Sequence, residues 1–313
     1  DKQLPNQFQA AEGFFEGLAL VKQNGRLYYI DKTGKIVIER IFREIGEAHI
    51  KGTQKKGMMV AEYWFESGLH FSEGLAAVFT GDKVEATNKY GYYMNKWNYI
   101  NKQGTIVIYG GYEEASPFSE GLAAVKIGTK WGYIDKNGNI SIEYKFDDAD
   151  DFSEGLAFVQ IRGSLAGYID KNGNMIIPNS FHTVGKFSDG LAVVSRYEKF
   201  GYIDKQGNLV IELLFDNAQS FYKGLAPVKI NGIWKYIDKT GKTAIPYSFV
   251  FAGPFSEDLA VVKIGTKWGY IDETGKTAIK AEFDGVGGFF EGLALVKSGQ
   301  FRYYINKTGK KAF

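Results

Sequence analysis

Gly121-Leu-Ala-Ala-Val125, followed by Lys130-Trp-Gly-Tyr-Ile-Asp-Lys-Asn-Gly138, is one copy of a phrase that recurs along the whole chain. Its first Leu returns at Leu18, Leu75, Leu122, Leu156, Leu191, Leu225, Leu259 and Leu293. From Leu122 onward the steps are 34, 35, 34, 34 and 34 residues. A fixed period of this length marks a repeat architecture, in which each unit buries its apolar surface against its neighbours. Unbroken repetition over residues 1–313 therefore argues for a single repeat domain of eight units, although a length of 313 residues alone would ordinarily allow two domains.

Within one unit the residue types assign the elements. Leu122 to Ile127 and Trp131 to Asp135 are β-type runs, and Asn139 to Glu143 follows as a third. Leu122, Ala123, Ala124 and Val125 are all apolar although neighbours on a strand point to opposite faces, so these sheets are covered on both sides. The turn Asp135-Lys-Asn-Gly138 closes on a glycine in all eight units, as a type I turn followed by a left-handed residue requires. Phe152-Ser-Glu-Gly155 is a second turn, whose glycine becomes Asp258 in the seventh unit. Phe146 to Phe152 leaves room for a short fourth strand, and its second Phe recurs in every unit, which predicts a core position.

Two architectures fit: a closed eight-bladed β-propeller with one unit per blade, or an open β-solenoid of stacked hairpins. Leu4 to Phe8 is in register with Ile177 to Phe181, and Lys310 to Phe313 with Lys35 to Ile38. The two ends thus fall within one strand, residues 1–4 beside Lys310 to Phe313, and no polar capping segment is visible. Both points favour the ring. Against it, 34 residues leave only about five per strand in a four-stranded blade.

Lys130-Trp-Gly-Tyr-Ile-Asp135 and Lys267-Trp-Gly-Tyr-Ile-Asp272 resemble the signature of the bacterial WG-repeat (KWG-repeat) family. Several units depart from it: the Trp place holds Leu27, Ala166, Phe200 and Arg302, and the Gly place holds Tyr28, Asn98, Lys235 and Tyr303. The resemblance implies a β-rich bacterial repeat protein without a shared activity, and it supplies no catalytic residues.

Composition narrows the function classes. Net charge is +2, from 38 basic and 36 acidic residues that intersperse, which is not a nucleic-acid footprint. No apolar run approaches the ~18 residues of a membrane helix. The absence of cysteine excludes disulfides and Cys-based zinc sites. The chain opens on Asp1 rather than Met; a cleaved leader or a trimmed start would look the same, and the expectation leans to a secreted or cell-envelope setting.

Catalytic signals are lacking. His49, His70 and His182 have no metal-ligand spacing, and Gly163-Ser-Leu-Ala-Gly167 has its serine one place early for a nucleophile elbow. Asp147, Asp148, Asp150, Asp151 and Glu154 offer hard oxygen ligands suited to calcium, but most have no counterpart in other units and read as a solvated loop edge. No cofactor or metal is expected.

The residues that break the repeat are more informative. One insertion spans about residues 43–64 and carries Lys51, Lys55, Lys56, Met58, Met59, Tyr63 and Trp64. The other spans about 82–94 and carries Tyr90, Tyr92, Tyr93 and Met94. In a propeller both would emerge on the same rim above adjacent blades, where insertions of repeat proteins gather on the binding face. Met, Tyr and Trp suit an adaptable contact surface; the competing reading is a packed cover over the first blades. The expectation is a non-enzymatic scaffold that binds a protein or cell-envelope partner. A carbohydrate or envelope-polymer binder using Trp131, Trp234 and Trp268 is the alternative, and a hydrolase or lyase with acids around a central channel is the third.

Overall fold

The computed structural model describes residues 8–39, 41–49, 56–63, 65–80, 96–161 and 165–312, with only the backbone described at 41–49, 56–63, 65, 66, 80 and 179. It holds seven four-stranded antiparallel sheets, an eighth of three strands and one separate two-stranded hairpin. No helix occurs among the described residues. The eight sheets are the eight repeats, and they close into a ring: an eight-bladed β-propeller, not an open solenoid.

Blade three shows how the residues make the sheet. Its strands, in order, are Glu114–Ala115, Leu122–Ile127, Lys130–Asp135 and Ile140–Phe146. The two middle strands are buried on both faces, whereas the last alternates exposed Ser141, Glu143 and Lys145 with buried Ile142 and Phe146. That alternation marks it as the outer strand, wet on one side. The first strand is innermost. Its paired ladder is only two residues long, and Phe146 of one blade is separated from Asp148–Ala149 of the next by a single residue. A 34-residue unit therefore suffices for four strands, because almost nothing goes to the connection between blades.

The turn after the third strand takes the form its sequence demands. Gly138 N–H donates to the Asp135 carbonyl (3.0 Å), and Asp135 Oδ1 accepts from the backbone N–H of Asn137 (2.9 Å) and Asn139 (2.8 Å). Gly138 sits at φ 83°, and a Cβ there would lie 3.0 Å from Ile108 Cγ2 of the preceding blade. The glycine thus serves both the turn and the packing between blades.

One tyrosine per blade staples it to the next. Tyr133 is fully buried, its ring packs on Phe152 (centroids 5.0 Å), and its hydroxyl donates to the Asp150 carbonyl (2.8 Å). The same bond runs from Tyr29 to Leu69 and onward round the ring. It ends with Tyr304, which donates to the carbonyl of Glu12 in blade one. Closure repeats the ordinary contact across the ends of the chain. Phe8, buried at 5%, packs on Tyr304 at 6.0 Å much as Phe146 packs on Tyr133 at 6.5 Å, and Ala312 N–H bonds the Tyr304 carbonyl (2.9 Å). Residues 8 and 310–312 thus supply blade eight with parts of its outer strand. The expected pairing of residues 1–4 lies outside the described residues.

The strand directions give the ring two rims. One carries the turns between first and second and between third and outer strands, and is called the turn rim below. The other, the hairpin rim, carries the hairpins between the two middle strands and the passages between blades. The first insertion forms an antiparallel hairpin, Ile41–His49 with Lys56–Tyr63, leaving blade one at the hairpin rim. The second starts from the hairpin rim of blade two, between Leu75–Thr80 and Lys96–Asn101.

Candidate functional site

The turn rim is organised by a ring of carboxylates. Each Ser-Glu-Gly-Leu turn is a two-residue hairpin loop with reciprocal bonds, as between Ser119 and Leu122 (2.9 and 3.2 Å). Both central residues have positive φ, 54° at Glu120 and 89° at Gly121, the type I′ geometry that suits twisted strands. A glutamate is an uncommon occupant of that region. Its side chain gives the reason: Glu120 accepts the N–H of Gly155 in the next blade (3.1 Å) and pairs with Lys171 (3.0 Å). The motif crosses the closure, where Glu291 accepts from Gly17 N–H (2.9 Å) and pairs with Lys32 (2.9 Å). Burial would push the Glu73 and Glu291 carboxyls up, but the lysine and the N–H outweigh it and hold both below the usual range. The sequence displayed the glycine of this turn; the work of the glutamate appears only once neighbouring blades are seen together.

Inside this ring, the innermost strands carry the residues that differ most from blade to blade. The position just before the recurrent buried Phe is Gly13, His70, Asp151, Lys186 and Ser220 in blades one, two, four, five and six, and Pro or Gly elsewhere. Asp151 Oδ2 lies 2.7 Å from Lys186 Nζ, and Asp150 Oδ1 lies 3.3 Å from the same nitrogen. Asp151 Oδ1 is buried without a hydrogen-bond partner among the described residues. Burial pushes the Asp150 and Glu12 carboxyls up. It works against charge on Lys186 as well, but Asp151 and Asp150 more than offset it and raise that ammonium. His70 is held below its ordinary value by burial, with Asp151 pulling it up and Lys186 down. His70 of blade two and Asp151 and Lys186 of blades four and five all stand on the innermost segments, which surround the central opening of the ring.

The opposite side of that opening is aromatic. The position just after the buried Phe is Ser in five blades, Tyr222 in blade six, and Phe15 and Phe290 in blades one and eight. Where it is Ser, its hydroxyl bonds the next blade, as Ser119 does to the Phe152 carbonyl (2.7 Å). Phe15 stacks on His70 (4.1 Å, 26°) and lies against Phe290 (4.6 Å).

The candidate residues named from the sequence are described only in part. Lys51, Lys55, Trp64, Tyr90, Tyr92, Tyr93 and Met94 lie outside the described residues. Lys56, Met58, Met59 and Tyr63 lie on the strand Lys56–Tyr63, described in its backbone alone. The Trp places do not offer the open faces that sugar stacking needs: Trp131 and Trp234 are buried at 8% and 5%. Trp268 is half-buried between Phe251 (5.2 Å) and the Lys263 ammonium (5.4 Å). Nor do the five clustered acids converge on an ion. Asp147 pairs with Lys130, Asp148 accepts the N–H of Ala149, Asp150 and Asp151 take Lys186, and Glu154 takes Lys205. Among the described residues no group of three His, Asp or Glu is arranged to hold a metal.

Among solved structures, the computationally designed Ika8 protein is similar at 10% identity, with 97% of this chain and 98% of that one covered and a TM-score of 0.56. A eukaryotic initiation factor is similar at 11% identity, over 100% of this chain and 88% of that one, with a TM-score of 0.57. At these identities the likeness concerns the fold alone. No curated protein matches the chain. The family model described as "WG containing repeat" matches eight times, at residues 4–26, 29–48, 97–131, 131–163, 167–199, 200–234, 236–268 and 268–300. With these matches covering most of its length, the chain belongs to the WG-repeat family.

Proposed function

We propose that the protein acts without catalysis, as a binding scaffold that presents its hairpin rim to a protein or cell-envelope partner. The observation that carries this reading is where the repeat is broken. The consensus residues are committed to holding blades together, whereas both insertions leave from the hairpin rim of blades one and two. A third departure shares that rim. In blade five the hairpin between the middle strands turns through Tyr197 (φ 49°) and Glu198 (φ 63°), where blades one and six use Asn-Gly. Residues held in that region cost about 1–3 kcal/mol each. Yet Tyr197 is 86% exposed, beside His182 (ring centroids 5.9 Å), and so recovers little by packing. An exposed aromatic kept at a strained turn supports recognition at this rim.

The test compares the full chain with a variant lacking residues 43–61 and 83–93, each biotinylated and incubated with a cell-envelope fraction before and after protease treatment. Retention of envelope material by the full chain, and its loss on deletion with an unchanged β spectrum, is the expected result. Protease sensitivity distinguishes a protein partner from a glycan. Equal retention by both variants, or unfolding of the deletion variant, would overturn the reading.

A further inference from the structure

The opening at the turn rim has two unlike walls. In a ring of eight, blade one faces blade five across the axis and blade eight faces blade four. The aromatic wall of Phe290, Phe15 and His70, on blades eight, one and two, therefore stands opposite Asp150, Asp151 and Lys186 on blades four and five. The aromatic wall is fitted: a Cβ on Gly13 would lie 2.6 Å from Phe290 Cδ2, so glycine is what lets that ring lie against blade one. The aromatic wall replaces residues that serve the repeat elsewhere, since Phe15 and Phe290 stand where five blades carry a bridging Ser. Neither wall is needed to form a blade.

We propose that this opening binds an organic cation bearing N–H donors, an alkylguanidinium or alkylammonium group. At this level of the inner strands the carboxyls of Glu12, Asp150 and Asp151 outnumber the one lysine, and burial disfavours charge on His70, so acids exceed bases around the opening. Asp151 already has Lys186 on Oδ2, while its buried Oδ1 has no donor among the described residues. The Asp151 side chain keeps 15% of its surface exposed, and there its carboxylate can accept a charge-assisted N–H from a ligand in the opening. The faces of Phe15 and Phe290 suit the apolar stem and charge of such a cation. The site is on the rim opposite the insertions and does not depend on the macromolecular partner proposed above.

Isothermal titration calorimetry of the full chain with butylguanidinium and butylammonium tests it. Neutral butylurea serves as the shape control, and acetyl-Gly-Arg-Gly-amide separates a free small cation from a side chain of another protein. Saturable binding of at least one cation, without binding of butylurea, is expected. Asp151→Asn should weaken it by about tenfold, as loss of a charge-assisted bond does. Phe15→Ser, which installs the residue of five other blades and so should fold, should weaken it by about threefold or more. Deletion of residues 43–61 and 83–93 should leave this binding unchanged, so failure here is distinguishable from failure of the scaffold reading. Absence of saturable binding by either cation, binding of butylurea as tight as theirs, or an Asp151→Asn variant with full affinity would overturn the proposal.

Discussion

Lys223, Asp258 and Glu273 are three departures from the repeat that share one cause. The usual contact joins the turn glutamate of one blade to the turn glycine of the next and to the lysine that follows Tyr-Ile-Asp. Here the glutamate has become Lys223, the glycine Asp258 and the lysine Glu273. Lys223 consequently pairs with both acids, raising its own pKa and holding Asp258 below the usual carboxylate range. Lys223→Glu alone should lower the melting temperature by setting three acids together. Adding Asp258→Gly and Glu273→Lys should restore it, and thermal unfolding of the cycle of variants measures the coupling. Independent, additive effects would show that the three positions do not interact. Two further residues carry their roles in every blade. Tyr133→Phe leaves the Asp150 carbonyl without its donor and should cost about 1–3 kcal/mol in urea unfolding. Gly138→Val forces a β-branched residue to positive φ against Ile108 and should cost on the order of 1–3 kcal/mol, well above Asn137→Ala, in the same measurement.

At the scale of the element, the turn between the third and outer strands is a polar device with a pH signature. Its first residue is aspartate in six blades and Asn101 or Asn306 in the other two. Side-chain and backbone bonds from Asn139 hold the Asp135 carboxyl below the usual range, and Thr240 does the same for Asp238. Asp31, Asp170, Asp204 and Asp272 are lowered likewise by the residues of their own turns. A carboxyl lowered by folding contributes its full stability above the unfolded value. It loses that contribution as pH falls through the folded one. Melting temperature should therefore hold from neutral pH down to about 4 and decline below it. A variant with all six aspartates changed to asparagine, the residue two blades already use, should keep its fold and decline less. An identical acid limb in melts between pH 7 and about 2 would show that other groups govern it. The turn itself was legible because its glycine, its aspartate and their spacing are local. The innermost strand was legible as the room left between Phe146 and Phe152, but its extent was not, because pairs such as Glu114-Ala115 and Asp148-Ala149 have no strand pattern of their own and form a ladder only with the strand that follows.

For the whole molecule, closure is the decisive fact, and it makes the first and last blades depend on each other. Phe8→Ala should cost about 3–5 kcal/mol, as deletion of a buried aromatic does elsewhere in a core, although Phe8 lies near a chain end where such losses are usually small. Hydrogen exchange should then rise in blades one and eight together; a change confined to blade one would mean that Tyr304 and Glu12 do not hold the ring shut. The period, the recurrent turn glycine and the recurrent Phe stated the number of units, the turns and part of the core without reference to coordinates. These depend on neighbours in sequence and on a rule applied eight times. The identity of the residues gathered in the central opening has a different origin. Phe15, His70, Asp151, Lys186 and Phe290 are scattered over nearly the full length of the chain, and each is an ordinary exception within its own unit. Only the ring, by turning blades eight, one and two to face four and five, converts those separate exceptions into two facing walls.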